Sequence, residues 1–279
     1  MGNFNFKFEP WMVEELLDGN KDWKEWYDAM CDVLPEWDVN TIERVAGFIA
    51  QCGHESRQMN VLSENLNYSA SALNKIFGKY FVRAGRDPGP YHRKPEKIAN
   101  VIYANRMDNG NTNSGDGWTF RGGGILQLTG RYNYTEFGKA VGMSPEKATR
   151  YVRTPKGAIA SACWFWRTNK INKYCDNQDI VGMTKRINGG TIGLADRKKH
   201  YIHALDVLGG DYEEPAMNYN IVIRKGSRGP VVAEVQAKLG LTADGVFGSG
   251  TERAVKRWQK KNGLTADGIV GPRTIKKLL

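Results

Sequence analysis

The chain has 279 residues, 41% hydrophobic and 25% charged, which are ordinary values for globular protein and supply enough apolar mass for one large or two unequal cores. Its net charge of +10 is uneven: residues 224–279 hold +8 of it and residues 1–223 only +2, so the cationic surface belongs to the tail. No window approaches eighteen unbroken apolar residues, and no basic stretch leads into an apolar one at the start, which excludes a membrane span and an export leader from the reading; synthesis in the cytosol without stable membrane insertion is expected.

In chain order, the first strong periodicity runs from Thr41 to Met59. Ile42, Val45, Ala46, Ile49, Cys52 and Gly53 recur at three and four, the spacing of one buried helix face. Further helices are predicted around Pro95–Met107, Asn133–Val141, Lys156–Trp166 and Ile180–Ile187. Between Asn105 and Gln127 the pattern stops. That stretch holds six glycines, aromatic rings and several amides, and reads as a long irregular loop with room for a short hairpin; its aromatics point to function rather than disorder.

The polar, Gly- and Pro-containing run Gly209–Asn220 marks a boundary, dividing the chain into residues 1–210, a linker 211–221, and a small domain 222–279. The small domain contains an internal repeat: LTADGVFGSGT begins at Leu241 and LTADGIVGPRT at Leu264. Asp244-Gly245 and Asp267-Gly268 are turn dipeptides in which glycine accepts a positive φ. Helices follow each turn. Ser249 and Glu252 have capping-box spacing ahead of an apolar stripe of Ala254, Val255 and Trp258, and Pro272 suits a first helical turn. A bundle of about three short helices is predicted.

Cys31, Cys52, Cys163 and Cys175 stand far apart without a CxxC pair, a pattern of reduced core thiols rather than of disulfides or a zinc site. His200 and His203 lack a third ligand, so no metal and no cofactor is expected. His54 is read as a packing or hydrogen-bonding residue, and Trp164 and Trp166, in the apolar run ACWFW, as core. Trp118 is a candidate for stacking on a sugar ring.

Glycoside hydrolysis normally takes two carboxyl groups on opposite sides of the scissile bond, and Glu55 and Glu64 are the candidates. On a helical wheel Glu55 falls at the edge of the apolar stripe beside Phe48, Cys52 and Met59, where partial desolvation would raise its pKa toward that of a general acid. Glu64 follows after the helix has ended, on a loop. On spacing alone, each glutamate reads first as half of a surface ion pair.

The runs HES (His54–Ser56), ENLNYS (Glu64–Ser69), GDGWTFRGGGILQLTGRYNY (Gly115–Tyr134) and INGG (Ile187–Gly190), in that order over about residues 40–205, resemble the family 19 glycoside hydrolases, in particular the branch used as bacteriophage endolysins. The resemblance implies a mostly helical, two-lobed lysozyme-like fold with a substrate cleft. It makes Glu55 the general acid, Glu64 the general base and Thr129 the hydroxyl that helps hold the attacking water. Gln127, Tyr132, Asn133 and Asn188 match sugar-contacting positions, and Arg197 a basic residue that supports the catalytic carboxylates. The family's chemistry is inverting, which places the two carboxyls roughly 6.5–9.5 Å apart. One departure stands out: the loop reads FRGGG where relatives often have FRGRG, so Gly123 offers no basic side chain to a ligand.

Residues 222–279 resemble the peptidoglycan-binding module of many wall hydrolases, including the opening positions Ile223, Gly226, Gly229, Val232 and Gln236. Together the resemblances imply a monomeric endolysin that hydrolyses bacterial peptidoglycan and waits in the host cytoplasm until it is released to the wall. A chitinase and a non-catalytic wall-binding protein are the alternatives. The basic tail alone would also fit nucleic acid, which is not the expected partner.

Overall fold

The computed structural model describes residues 3–209 and 222–278. The predicted linker, residues 211–221, lies outside the described residues. The chain divides into two compact units, Met1–Tyr212 and Glu213–Leu279.

The first unit is helical: α1 (Pro10–Leu16), α2 (Trp23–Val33), α3 (Ile42–Ser56), α4 (Ala70–Ile76), α5 (Pro95–Ile102), α6 (Asp116–Thr119), α7 (Arg131–Val141), α8 (Pro145–Tyr151), α9 (Pro155–Thr168), α10 (Asn172–Asp176), α11 (Ile180–Asn188) and α12 (Leu194–Gly209). The described residues contain isolated β-bridges and no extended strands. Its apolar side chains form two separate clusters. The larger gathers Phe48, Phe120, Phe137 and Trp166 with residues of α1–α3, α7–α9 and α12. The smaller is built from Leu66, Leu73, Phe81, Ile98 and Ile102. Two cores make two lobes, as the fold prediction requires.

Helix α3 starts where Thr41 caps it, the hydroxyl accepting from the Arg44 N–H at 3.3 Å. It ends earlier than the periodicity predicts because Arg57, Gln58 and Met59 all take positive φ, between 52° and 62°. The burial also differs from a one-faced helix. Every residue from Val45 to Gly53 is buried, because α12 packs along one side while α10 and α11 cover others. Thus α3 is the central helix of the large lobe, and Glu55 sits where it emerges from the core. Helix α5 likewise stops at Ile102, short of the predicted Met107, since Asn105, Met107 and Asp108 adopt left-handed φ.

The second unit contains α13 (Pro230–Lys238), α14 (Ser249–Lys261) and α15 (Pro272–Leu278) around Ile223, Val232, Val235, Phe247, Val255, Val270 and Ile275. Gly245 and Gly268 have φ of 71° and 78°, as the turn dipeptides require. The predicted capping box is absent: Ser249 is already helical, Gly248 is the cap, and Glu252 pairs with Lys256 at 3.1 Å. The turns are held instead by two buried glutamines. Gln236 Nε2 donates to Asp244 Oδ1 at 2.7 Å and to the Val246 carbonyl at 3.1 Å, while its Oε1 accepts from Gly245 N at 2.9 Å. Gln259 makes the same bonds to Asp267, Ile269 and Gly268 in the second copy.

Candidate active site

Glu64 lies at the junction of the lobes. Leu62 packs on the large core and Leu66 is buried in the small one, so the chain crosses from one to the other around it. Its backbone N–H donates to the Gly122 carbonyl at 3.2 Å, and the Gly122 N–H donates back to Glu64 Oε1 at 2.5 Å. The neighbouring bridge Ser63–Gly123 and the bond from Gly124 N to the Leu62 carbonyl extend this docking. From the small lobe, the Tyr103 hydroxyl donates to Glu64 Oε2 at 2.8 Å. Burial, and then the Glu64 charge, push the Tyr103 phenol above its ordinary range, so it stays a donor. Each carboxylate oxygen therefore has one fixed donor and keeps lone pairs for a further partner.

Gly122 is required for this approach. A Cβ there would lie 3.3 Å from the Glu64 carboxyl and 2.8 Å from Gln127 Oε1. Through that glycine, Glu64 and Gln127 come together. Gln127, Thr129, Tyr132 and Asn133 line one groove of about 490 Å³ with Glu136 and Trp164. Within it the Thr129 hydroxyl donates to the Gln127 carbonyl at 2.8 Å and the Asn133 amide to the Thr129 carbonyl at 2.8 Å. The Thr129 oxygen is thereby left as an acceptor. Tyr132 is 52% exposed and free to meet a ligand. Glu55, Glu64, Arg197, Asn188 and Trp118 are not part of this lining.

Glu55 is held quite differently. Its side chain is 33% exposed, and Oε1 accepts from Arg197 Nη2 at 2.5 Å, a charge pair reaching from α12 to α3. The edge position read from the wheel thus carries an ion pair, with α12 delivering Arg197, 1% exposed, to the end of α3 as the resemblance implies for a supporting basic residue. Beside it His54 Nδ1 meets Asp196 Oδ2 at 2.6 Å, the hydrogen-bonding role read for His54. That bond, more than the charges around it, lowers the Asp196 carboxyl below its usual range. His200 pairs with the same aspartate and His203 with Glu15. Among the described residues no group of three potential ligands gathers around a metal position.

Other expectations are redistributed. Asn188 ends α11 on the surface, its amide donating to the Ile192 carbonyl at 3.2 Å. Trp118 packs against the small core with the Arg121 guanidinium 3.7 Å over its ring, so one face is already covered. Trp166 is core, 1% exposed, but Trp164 is only partly buried and lines the groove. Gly123 has no room for a side chain: a Cβ would come within 2.7 Å of the Tyr134 hydroxyl and 3.1 Å of Arg153 Cζ. Arg153 instead brings a guanidinium to that spot, donating to Ser63 Oγ at 3.0 Å. Tyr103 and Gln51 lie outside the quoted motifs, and Gly122, though inside one, was given no role there because the carboxylate it bonds lies 58 positions away.

Comparison with known proteins bears on the family and the fold. A Haemophilus influenzae protein described as a glycosyl hydrolase family 19 domain-containing protein is 41% identical over 180 residues, covering 62% of this chain and 83% of that relative. An endochitinase of Arabidopsis thaliana is 34% identical over 100 residues, covering 33% of this chain and 35% of the relative. Chitinase C from Streptomyces griseus shares the fold, with a TM-score of 0.50 at 16% identity over 74% of this chain and 78% of that one. The helical, two-core catalytic unit is that of a glycosidase, and residues 228–278 match the peptidoglycan binding domain family. The chain belongs to glycosyl hydrolase family 19.

Proposed function

We propose that this glycosidase is an endolysin that cleaves the glycan backbone of bacterial peptidoglycan, at the bond between N-acetylmuramic acid and N-acetylglucosamine, by a single inverting displacement. It acts as a monomer, stored in the host cytoplasm and released to the wall at lysis. Glu55 donates its proton to the glycosidic oxygen as the C–O bond breaks. Glu64 takes a proton from water, whose oxygen forms the new bond to the anomeric carbon from the opposite ring face. Arg197, at 2.5 Å, stabilises the Glu55 carboxylate that remains. Thr129, with its proton committed to the Gln127 carbonyl, accepts a hydrogen bond from the attacking water. Tyr132, Asn133 and Gln127 contact the sugars in the groove, and Asn188 and the open face of Trp118, which lie outside its lining, contact sugars beyond it.

The observation that carries this reading is the joining, in one chain, of a family 19 catalytic unit to a cationic module of the peptidoglycan binding family. The likeness to a plant endochitinase favours a second reading, hydrolysis of chitin. Mass spectrometry of muropeptides released from defined peptidoglycan tests the choice. New reducing-end N-acetylmuramic acid, with weak release from chitin oligomers, is expected. Strong activity on chitin with intact peptidoglycan would overturn it.

A further inference from the structure

Glu55 is held by Arg197, but Arg197 is itself held. Its Nη1 donates to Gln51 Oε1 at 2.5 Å, and the Gln51 Nε2 donates to Thr184 Oγ1 at 3.1 Å. The Thr184 hydroxyl passes its own proton to the Ile180 carbonyl at 2.8 Å, one turn back along α11. Gln51 and Thr184 are both 0% exposed and Arg197 1%, so water does not substitute for any of these bonds. Three helices, α3, α11 and α12, each contribute one residue.

The donors and acceptors run in one direction only. Because the Thr184 proton is spent on Ile180, its oxygen facing Gln51 can only accept, so the Gln51 NH₂ must point at it. The Gln51 oxygen must then point at Arg197. A flipped amide would set two oxygens without a shared proton against each other at Thr184, and NH₂ against guanidinium N–H at Arg197. We infer that Gln51, oriented by Thr184, is a positioning residue for the reaction: it fixes the plane of the Arg197 guanidinium and through it the place of the Glu55 carboxyl. This rests on the reading of Glu55 as the acid.

Thr184→Val keeps the shape of the side chain and removes the hydroxyl. On soluble peptidoglycan fragments, kcat is expected to fall about tenfold, the size of one well-made hydrogen bond, with KM within about twofold. Thr184→Ser, which keeps the hydroxyl, should restore kcat to near that of the unaltered protein. Thr184→Ala serves in the same comparison if the valine variant does not fold. Unchanged kcat in the variants lacking the hydroxyl, or an equal loss in Thr184→Ser, overturns the inference. Glu55→Gln, assayed alongside, separates the two ideas. Full activity there removes the acid assignment itself, whereas an inactive Glu55→Gln beside a fully active Thr184→Val removes only the positioning role.

Discussion

The two carboxylates proposed for the reaction are placed by opposite strategies. Glu55 stands on the last turn of a central helix and is held by a full positive charge from another helix, 142 positions along the chain. Glu64 stands on an irregular segment and is held by neutral donors, a phenol from the small lobe and a backbone N–H from the Arg121–Gly124 loop. The helix-borne group needs a charge to stabilise what remains after a proton leaves. The loop-borne group needs two fixed oxygens with lone pairs left for water. The difference in their partners thus follows the difference in the chemistry proposed for each.

The largest effects come from removing the carboxylates themselves. Glu55→Gln and Glu64→Gln should each lower turnover by roughly 10²–10⁴-fold, the usual share of a positioned acid or base, with retention on purified walls unchanged. Their effects on stability should differ. Glu55→Gln keeps an acceptor for Arg197 Nη2 but puts a neutral amide in place of the carboxylate of the resting ion pair, a cost of about 1–2 kcal/mol once the partial exposure of Glu55 is allowed for. Glu64→Gln loses no charged partner, because the amide oxygen still accepts from Gly122 and the amide nitrogen can donate to the Tyr103 oxygen. Thermal melts of both variants measure this. Equal melting temperatures would break the comparison.

A smaller effect tests the loop side alone. In Gly122→Ala the new methyl would stand 2.8 Å from Gln127 Oε1 and 3.3 Å from the Glu64 carboxyl. Gln127 is a long side chain and can move, but the carboxyl must shift by a few tenths of an ångström. A loss of kcat of about 10- to 100-fold is expected, as for other small displacements of reacting groups, with the fold retained. Kinetics on soluble fragments, with far-ultraviolet circular dichroism as the check on folding, decide it. Full activity would mean that Gly122 does not set the position of Glu64.

How much of this was legible in the sequence depended on whether the interaction is local. The α3 periodicity, the turn dipeptides at Gly245 and Gly268, and the order of the motifs all concern residues close in sequence, and each has its counterpart in the structure. The repeat was legible as turns and helices, but not the bonds that hold the turns, Gln236 and Gln259 each reaching an aspartate eight residues on. Of the carboxylates' supports, the family motifs marked Arg197 alone; Gln51 behind it and Tyr103 beside Glu64 left no such trace. Arg197 meets Gln51 across 146 positions and Tyr103 meets Glu64 across 39, pairings that exist only once helices pack. The wheel placed Glu55 near apolar neighbours, yet it could not show that α12 would bring a guanidinium there. Gly123 read as a missing basic residue, whereas Tyr134 and Arg153 leave it no space.

The smallest effect at neutral pH becomes visible in alkali. Tyr134 is fully buried beneath the loop that holds Glu64, and its hydroxyl donates to the Arg121 carbonyl at 3.0 Å, next to Gly122. Burial pushes its phenol from the usual 10 up to about 12, although the Arg153 charge pulls it down. With the folded value above the unfolded one, the native chain keeps a proton that the unfolded chain has already lost between pH 10 and about 12. The stability linked to this group is complete below pH 10 and is lost as pH rises through about 12, by about 2–3 kcal/mol in all. Tyr134→Phe should therefore cost about 1 kcal/mol at pH 7, for the hydrogen bond, and then lose less stability than the unaltered chain on going to alkali. Denaturant melts across pH 8–12 compare the slopes. Because Tyr134 supports Glu64 and not Glu55, the same substitution should leave the Arg197-dependent stability difference between Glu55→Gln and Glu64→Gln intact. A change in that difference would show that the two sides of the site are mechanically one.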